Sequence, residues 1–488
     1  MSKKISIIQK ITQWKIILGI QIIASLILIA LIFKLGALPM KYAIIIIALI
    51  ALLGIGMFFL MKPSHEKGKG KVRTVIGKVI SILLSILLLI GSLYIAKGDS
   101  TLSSITGANE QTTRFSVIVL KDSKYESLSD LKNETIQVNN SVSDEKEMQS
   151  KAIEAVQKEN SSIKIKEVSD FSALSNNLYN KKVNAILVNE ANYAMLEADH
   201  EDFQEKTKVI WSKDFVEKVE DFSKDVDVTK NPFIVYISGI DTYGPVSTKS
   251  RSDVNMIVTV NPKTKQILMT SIPRDYYVTL ANKGKKDKLT HSGLAGVQNT
   301  VKTMENFMGI DINYYARVNF TSLIKMVDAL GGVDINSDRA FSTASGFTFK
   351  KGINHVNGKQ ALAYSRERYA FGDGDNERVY HQQLVLTAMI NKMMSPAIIT
   401  NYNSILSSID GSFETNMAAG DITGLLQMQI NDMASWKIVQ KQLSGSGKMM
   451  TGGAYMPNNK LYYMIPNESS VAENKKAIQQ VLAGNPVD

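Results

Sequence analysis

Apolar positions along this chain fall into two regimes. Residues 16–33, 42–61 and 79–96 are nearly uninterrupted apolar runs, each close to the ~20 residues a membrane-spanning helix needs. Beyond residue 97 the apolar stretches shorten to strand and helix lengths. The segment 98–114 is polar and rich in Ser, Thr and Gly, which reads as a linker. From 115 to 215 strand and helix patterns alternate. Ser116–Leu120, Ile163–Val168 and Ala185–Val188 read as strands, Asp144–Glu159 and Phe171–Tyr179 as helices, so a small α/β accessory domain is expected. Residues 230–393 form the main domain, also α/β, with a mixed central sheet flanked by helices. Its strand runs are Phe233–Ile237, ending at Ser238-Gly239, then Val254–Val260 and Gln266–Ile272, the last two joined by the turn Asn261-Pro262-Lys263-Thr264. A helix is expected over Phe320–Leu330, with Phe320, Leu323, Ile324, Val327 and Leu330 on one face. Ile398–Leu406, Ile422–Met433 and Val471–Leu482 read as helices around a Gly-rich loop at Gly445–Gly453. Residues 394–488 are therefore expected to be an extension packed on the main domain.

Charge placement orients the membrane segment. The net charge is +10, but residues 1–99 hold 13 Lys and Arg against Glu66 and Asp99, and the remainder holds 43 basic against 44 acidic residues. The basic excess thus belongs to membrane topology, and nucleic acid is not an expected partner. Lysines crowd the stretch before the first span and the loop between the second and third, while only Lys34 and Lys41 flank the first loop. The positive-inside rule puts the amino terminus in the cytoplasm and everything beyond residue 97 outside. A cleaved signal peptide is the rival reading of the first run; no small-residue cleavage pattern precedes the second.

Several chemistries are excluded. There is no cysteine, hence no disulfide or thiolate metal site. The five histidines are scattered without zinc spacing, and neither a GxSxG elbow nor a P-loop occurs.

Two polar clusters remain. Asp241 lies just past the first strand run, Arg251 and Asp253 where the second begins, Arg274 and Asp275 where the third stops. Strand ends are where binding groups converge in α/β sheets, so two acids and two arginines there point to a metal and a multiply charged anion. Taken singly, each could equally be a solvated loop residue paired with a neighbour. The second cluster, Arg366, Arg368, Asp373, Asp375, Arg378, Gln382 and Gln383, raises the functional reading. Arg366 and Arg368 share a face only if the backbone there is extended. Converging guanidinium forks suit a pyrophosphate better than a single carboxylate.

The blocks GIDTYG, RSDVNM, SIPRDYYV, DKLTH, YYARVNFTSLIKMVDALGGV, ALAYSRERY, GDNER and QQ, in that order over residues 230–390, resemble the LytR-CpsA-Psr family, most nearly its streptococcal-type capsule members. The accessory domain is similar to one that such members carry before the catalytic domain, and more weakly resembles half of an extracellular solute-binding protein. The resemblance implies magnesium, or manganese in its place, at Asp241 and Asp253. It implies a pyrophosphate grip by Arg251, Arg274, Arg366, Arg368 and Gln382, with Arg378 contributing. Asp375 is the weaker candidate for a base or for orienting an arginine. His381 stands where many members have arginine, leaving contact with phosphate open at that position. A polyprenyl tail would lie in an apolar channel walled in part by Phe320, Leu323, Ile324 and Val327, although such a stripe is more often plain core.

The implied activity is that of a cell-wall glycopolymer ligase, a phosphotransferase moving capsular polysaccharide as glycan-1-phosphate from a polyprenyl pyrophosphate carrier onto peptidoglycan, with pyrophosphatase activity on the side. Membrane lipid and other capsule-assembly membrane proteins are the further partners implied. The alternative reading is a non-catalytic membrane regulator of envelope synthesis, or a length-control protein that binds the lipid-linked glycan.

Overall fold

The computed structural model describes residues 12–63, 70–107, 110–240, 246–367, 370, 375–395, 404, 405, 408, 411 and 413–488. These divide into two compact units, one of residues 1–106, 394–410 and 418–435, the other of 107–393, 411–417 and 436–488.

The first unit holds three helices long and apolar enough to cross a membrane: α1 (Trp14–Leu35), α2 (Met40–Met61) and α3 (Lys71–Ile105). A polar contact lies inside this apolar bundle, where Ser81 Oγ on α3 donates to Gln21 Oε1 on α1 at 2.5 Å. Lys34 pairs with Asp99 at 2.7 Å, tying the end of α1 to α3. The expected linker 98–114 is largely absent, because α3 runs to Ile105 and the first strand begins at Glu110. The Ser and Thr residues that read as linker composition are accommodated by donating back to helix carbonyls, Ser103 to Asp99 O at 2.9 Å and Thr106 to Leu102 O at 2.7 Å. The helix Ala419–Asp432 belongs to the same unit, where Lys41 Nζ donates to Asn431 O at 3.2 Å.

The second unit contains two mixed sheets. The accessory sheet has order β3-β2-β4-β1-β5, from β1 (Glu110–Leu120), β2 (Thr135–Asn139), β3 (Lys164–Val168), β4 (Ala185–Asn189) and β5 (Thr207–Lys218). Helices α4 (Lys146–Glu159) and α5 (Phe171–Tyr179) pack on its faces. Asp170 caps α5 by accepting from Ala173 N at 2.6 Å. β2 and β5 went unread in the sequence. One apolar core continues from this sheet, through Ile118, Ile186 and Phe171, to Tyr236, Ile257 and Leu268 of the second.

The central sheet is built from β6 (Phe233–Ile240), β7 (Ser252–Asn261), β8 (Gln266–Ile272), β9 (Tyr314–Asn319), β10 (Phe413–Thr415) and β11 (Lys437–Gln442), in the order β10-β9-β6-β7-β8-β11. Helices α6 (Val297–Met308), α7 (Phe320–Ala329), α8 (Gly358–Arg366), α9 (Asp375–Met393) and α10 (Glu468–Leu482) complete it. The expectation of a carboxy-terminal extension packed on this domain is corrected here. β10 and β11 are its two edge strands, β10 antiparallel to β9 and β11 parallel to β8. Edge strands this short, with polar residues such as Lys437, Gln440 and Lys441, carry little period-two signal, and their partners lie far away in sequence. The Gly-rich stretch is likewise a strand: β12 (Gly445–Met450) pairs antiparallel with β13 (Leu461–Pro466).

Strand direction fixes the site. β6 is parallel to β9 and antiparallel to β7, and β7 is antiparallel to β8. The carboxyl ends of β6, β8 and β9 therefore share one edge with the amino end of β7, the edge at which α/β sheets bind ligands.

Candidate functional site

Asp253 owes its position to a bulge. Along β6 and β7, Gly239 pairs with Val254 and Ile240 with Ser252, so Asp253 is the extra, unpaired residue, a device that bends a strand and re-aims a side chain. The backbones crowd there: a Cβ on Gly239 would sit 2.6 Å from Val254 Cβ. Ser238-Gly239, expected to end the first strand, instead lies within it, because glycine here serves the close approach and not a turn. Arg251 remains just outside β7 and half-buried.

The Asp253 carboxylate is 9% exposed. Its Oδ1 accepts from Arg274 Nη1 and from Thr290 Oγ1, each at 3.0 Å. Its Oδ2 is buried and has no hydrogen-bond partner among the described residues. Burial by itself would push this carboxyl up, yet the guanidiniums of Arg251 and Arg274 and the Thr290 bond outweigh burial and hold it below the usual carboxylate range. Arg274 Nε lies 3.7 Å from Asp275 Oδ2, and Asp275 Oδ1 is 3.1 Å from Lys288 Nζ. Acids and bases thus alternate across the strand ends.

Thr290 and Lys288 were given no role by the sequence, although DKLTH contains both. Asp287, Leu289 and His291 turn inward, with His291 Nδ1 2.9 Å from Asp287 Oδ1 and Tyr455 N donating to Asp287 Oδ2 at 2.9 Å. Lys288 and Thr290, between them, reach Asp275 and Asp253.

The second cluster is carried by α7, α8 and α9. Asn319 caps α7 and Asn357 caps α8, each in a reciprocal capping box. Gly358 at the start of α8 lets the two helices touch, since a Cβ there would lie 2.2 Å from Ile324 O. Arg366, the last residue of α8, then stacks over Phe320, the first residue of α7, with Cζ 4.2 Å from the ring centroid. Phe320 directly follows β9, so this pair stands at the same sheet edge as Asp253. Val327 and Leu330 are core, whereas Phe320, Leu323 and Ile324 are only half-buried, splitting the expected stripe. Arg378 and Gln382 lie one turn apart on α9, both half-buried. That helix crosses the sheet face of Met256 and Met269 through Leu386 and Ile390. Gln383 does not join the site; it is buried and donates to Lys441 O at 2.7 Å.

His381 is 0% exposed in an aromatic cage, its ring stacked on Phe341 with centroids 5.1 Å apart and tilted against Tyr364 at 4.5 Å. Burial pushes its pKa down to about 4. Where many family members have arginine, this residue packs in the core. Asp241 and Arg368 lie outside the described residues, as does the side chain of Asp375. Among the described residues no group of three or more His, Asp or Glu gathers as a metal site. The buried Asp253 Oδ2, a hard oxygen with no hydrogen-bond partner among the described residues, nonetheless fits a divalent-ion ligand.

Comparison with known proteins finds a family and relatives to which this chain is similar. The model of the LytR_cpsA_psr family matches residues 193–480. The polyisoprenyl-teichoic acid–peptidoglycan teichoic acid transferase TagU of Bacillus licheniformis is 36% identical over 266 residues, 54% of this chain and 82% of that protein. The TagU of Enterococcus faecalis is 36% identical over 229 residues, 46% of this chain and 74% of its own length. The crystal structure of Bacillus subtilis TagU is 34% identical, covering 53% of this chain and all of that one, with a TM-score of 0.42.

Proposed function

The chain belongs to the LytR-CpsA-Psr family, and from that premise we propose that it is a glycopolymer ligase that transfers a glycan-1-phosphate from a polyprenyl pyrophosphate carrier to peptidoglycan. Relatives that are 36% identical to it over 266 and 229 residues are named as transferases of teichoic acid to peptidoglycan. The observation that carries the reading is Asp253, a buried carboxylate fixed against Arg274 with one oxygen left over at the carboxyl edge of the sheet.

In this reading the Arg274 and Arg366 forks donate to the phosphate oxygens, with Arg251, Arg368, Arg378 and Gln382 completing the grip. Asp253 Oδ2, with Asp241 as the second acid, would hold Mg2+, or Mn2+ in its place, and the ion supplies positive charge against the phosphates. The acceptor hydroxyl oxygen bonds to the glycan-bearing phosphorus. The bond from that phosphorus to the bridging oxygen breaks, and polyprenyl monophosphate leaves with the electron pair. The hydroxyl proton passes to a carboxylate, for which Asp375 is the candidate. Water in place of the sugar hydroxyl would give the pyrophosphatase side reaction. No nucleotide is required, because the pyrophosphate link stores the energy, and catalysis is positioning and charge neutralisation. The half-buried Phe320, Leu323 and Ile324 offer apolar wall to a prenyl chain, each CH₂ buried contributing ~0.8 kcal/mol.

The glycan we propose is capsular polysaccharide, on the resemblance to capsule-type members. The proposed orientation has the amino terminus in the cytoplasm and residues 97–488 outside, where lipid-linked glycan and peptidoglycan meet. The test is release of polyprenyl monophosphate from a polyprenyl pyrophosphate-linked disaccharide by the full chain in nanodiscs, with and without Mg2+. Tight binding without release would favour the length-control alternative.

A further inference from the structure

We infer that accessory strand β1 and the buried Arg317 together clamp residues 247–249 and so position Arg251 for the pyrophosphate, which makes the accessory domain a working part of the site. The inference rests on the ligase reading for its consequence, though not for its geometry.

The segment leading to Arg251 is held along both of its main-chain edges. On one side Thr112 of β1 forms a parallel bridge: Thr112 N donates to Ser247 O at 2.9 Å and Lys249 N donates to Thr112 O at 2.8 Å. The hydroxyls of Thr112 and Ser247 are 3.1 Å apart, and the Lys249 ammonium pairs with Glu217 on β5. In an extended segment successive carbonyls point to opposite sides, so the Thr248 carbonyl faces away from β1. On that side Arg317 Nη2 donates to it at 2.9 Å. Arg251 follows Lys249 by two residues and Asp253 follows Arg251 by two.

Arg317 is an unusual residue to find there. It is 1% exposed, and its Nε and Nη1 have no partner among the described residues. Glu414 lies opposite it in register on β10, and that carboxylate accepts from Tyr315 Oη at 2.6 Å. Burial draws the Arg317 guanidinium below its ordinary pKa, with Glu414 opposing. An incompletely bonded buried cation is costly, and a packed apolar side chain is often the more stable choice. An apolar residue at this position would, however, leave the Thr248 carbonyl unheld. A buried arginine of this kind makes sense where placement of a backbone matters more than stability.

The test uses the full chain in nanodiscs and the variants Thr112→Pro, Arg317→Met and Arg317→Lys, alone and combined with Arg251→Ala. Hydrogen exchange at the amides of residues 246–253 reads the clamp directly. Protection should fall in Thr112→Pro and Arg317→Met and recover in part in Arg317→Lys; unchanged protection in folded variants overturns the inference whether or not the protein turns over. In the lipid-phosphate release assay, each single variant should lower kcat/KM by about ten- to a hundredfold, the scale of a misplaced binding group. In the Arg251→Ala background the same changes should cost less than about twofold, because residues acting through one group are non-additive. Full additivity refutes positioning through Arg251. Should Thr112→Pro fail to fold, the Arg317 pair alone decides. Absent turnover in the wild type would count against the ligase reading and leave the exchange result to judge the clamp.

Discussion

Arg274 Nη1 donates to Asp253 Oδ1 at 3.0 Å across two neighbouring strand ends, while the other oxygen of that carboxylate has no partner among the described residues. One half of Asp253 is thus structural and the other half is available. Asp253→Asn separates the two roles, since it keeps the size and removes the charge. Turnover should fall by several factors of ten, each worth ~1.4 kcal/mol of barrier, while lipid binding falls much less and Mg2+ no longer stimulates. Normal Mg2+-dependent release by a stable Asp253→Asn protein would remove the metal from this residue. The folded carboxyl lies below its ordinary value, so its stabilising contribution is present above the unfolded pKa of ~3.9 and is lost as pH falls below it. The Asn variant should lack that acid-side loss.

Arg274→Ala and Arg366→Ala should each weaken binding of polyprenyl pyrophosphate, by on the order of 1.5–3 kcal/mol for each charge-assisted hydrogen bond removed. Equilibrium binding to a polyprenyl pyrophosphate, checked against the melting temperature, measures this. Unchanged affinity in both variants would remove the arginines from the grip.

Gly358→Ala tests the packing behind Arg366. The added Cβ would meet the Ile324 carbonyl, so α8 must move off α7, at about 1–3 kcal/mol for an overpacked contact. Denaturant melts should show that loss, and pyrophosphate binding should weaken as the Arg366–Phe320 stack opens. A variant of full stability would mean that the helices approach less closely than found.

His381 gives the fold a pH dependence of opposite sign to that of a histidine whose pKa is raised by a carboxylate partner. Burial lowers its folded pKa to about 4, against ~6.5 when unfolded, so between those values the unfolded chain binds the extra proton. Stability is therefore full above pH ~6.5 and declines as pH drops toward about 4. Melting temperatures of wild type and His381→Phe across that window should diverge, the variant lacking this part of the slope. Parallel curves would show that the ring titrates normally.

Topology is open to a direct experiment. Protease added to intact protoplasts should digest the region beyond α3 if, as proposed, the lysines preceding α1 and those between α2 and α3 keep the amino terminus inside. Full protection of that region would invert the orientation.

The sequence by itself determined the three apolar helices, the α/β character of the remainder, the strands that flank the site and, through contiguous motif blocks, the family. Such features are local: a run of ~20 apolar residues declares its helix whatever surrounds it, and Asp253 and Arg274 sit at strand ends that periodicity alone marks. Tertiary structure decided what depends on partners distant in the chain. β10 and β11 became sheet edges only by pairing with strands about a hundred or more residues away. A bulge between β6 and β7 made Asp253 the unpaired residue and turned Gly239 from a strand end into a packing glycine. The cage of Phe341 and Tyr364 made His381 a core residue. Pairing register and burial are properties of the assembled sheet. A residue's identity states which contacts it could make, and the fold alone chooses among them.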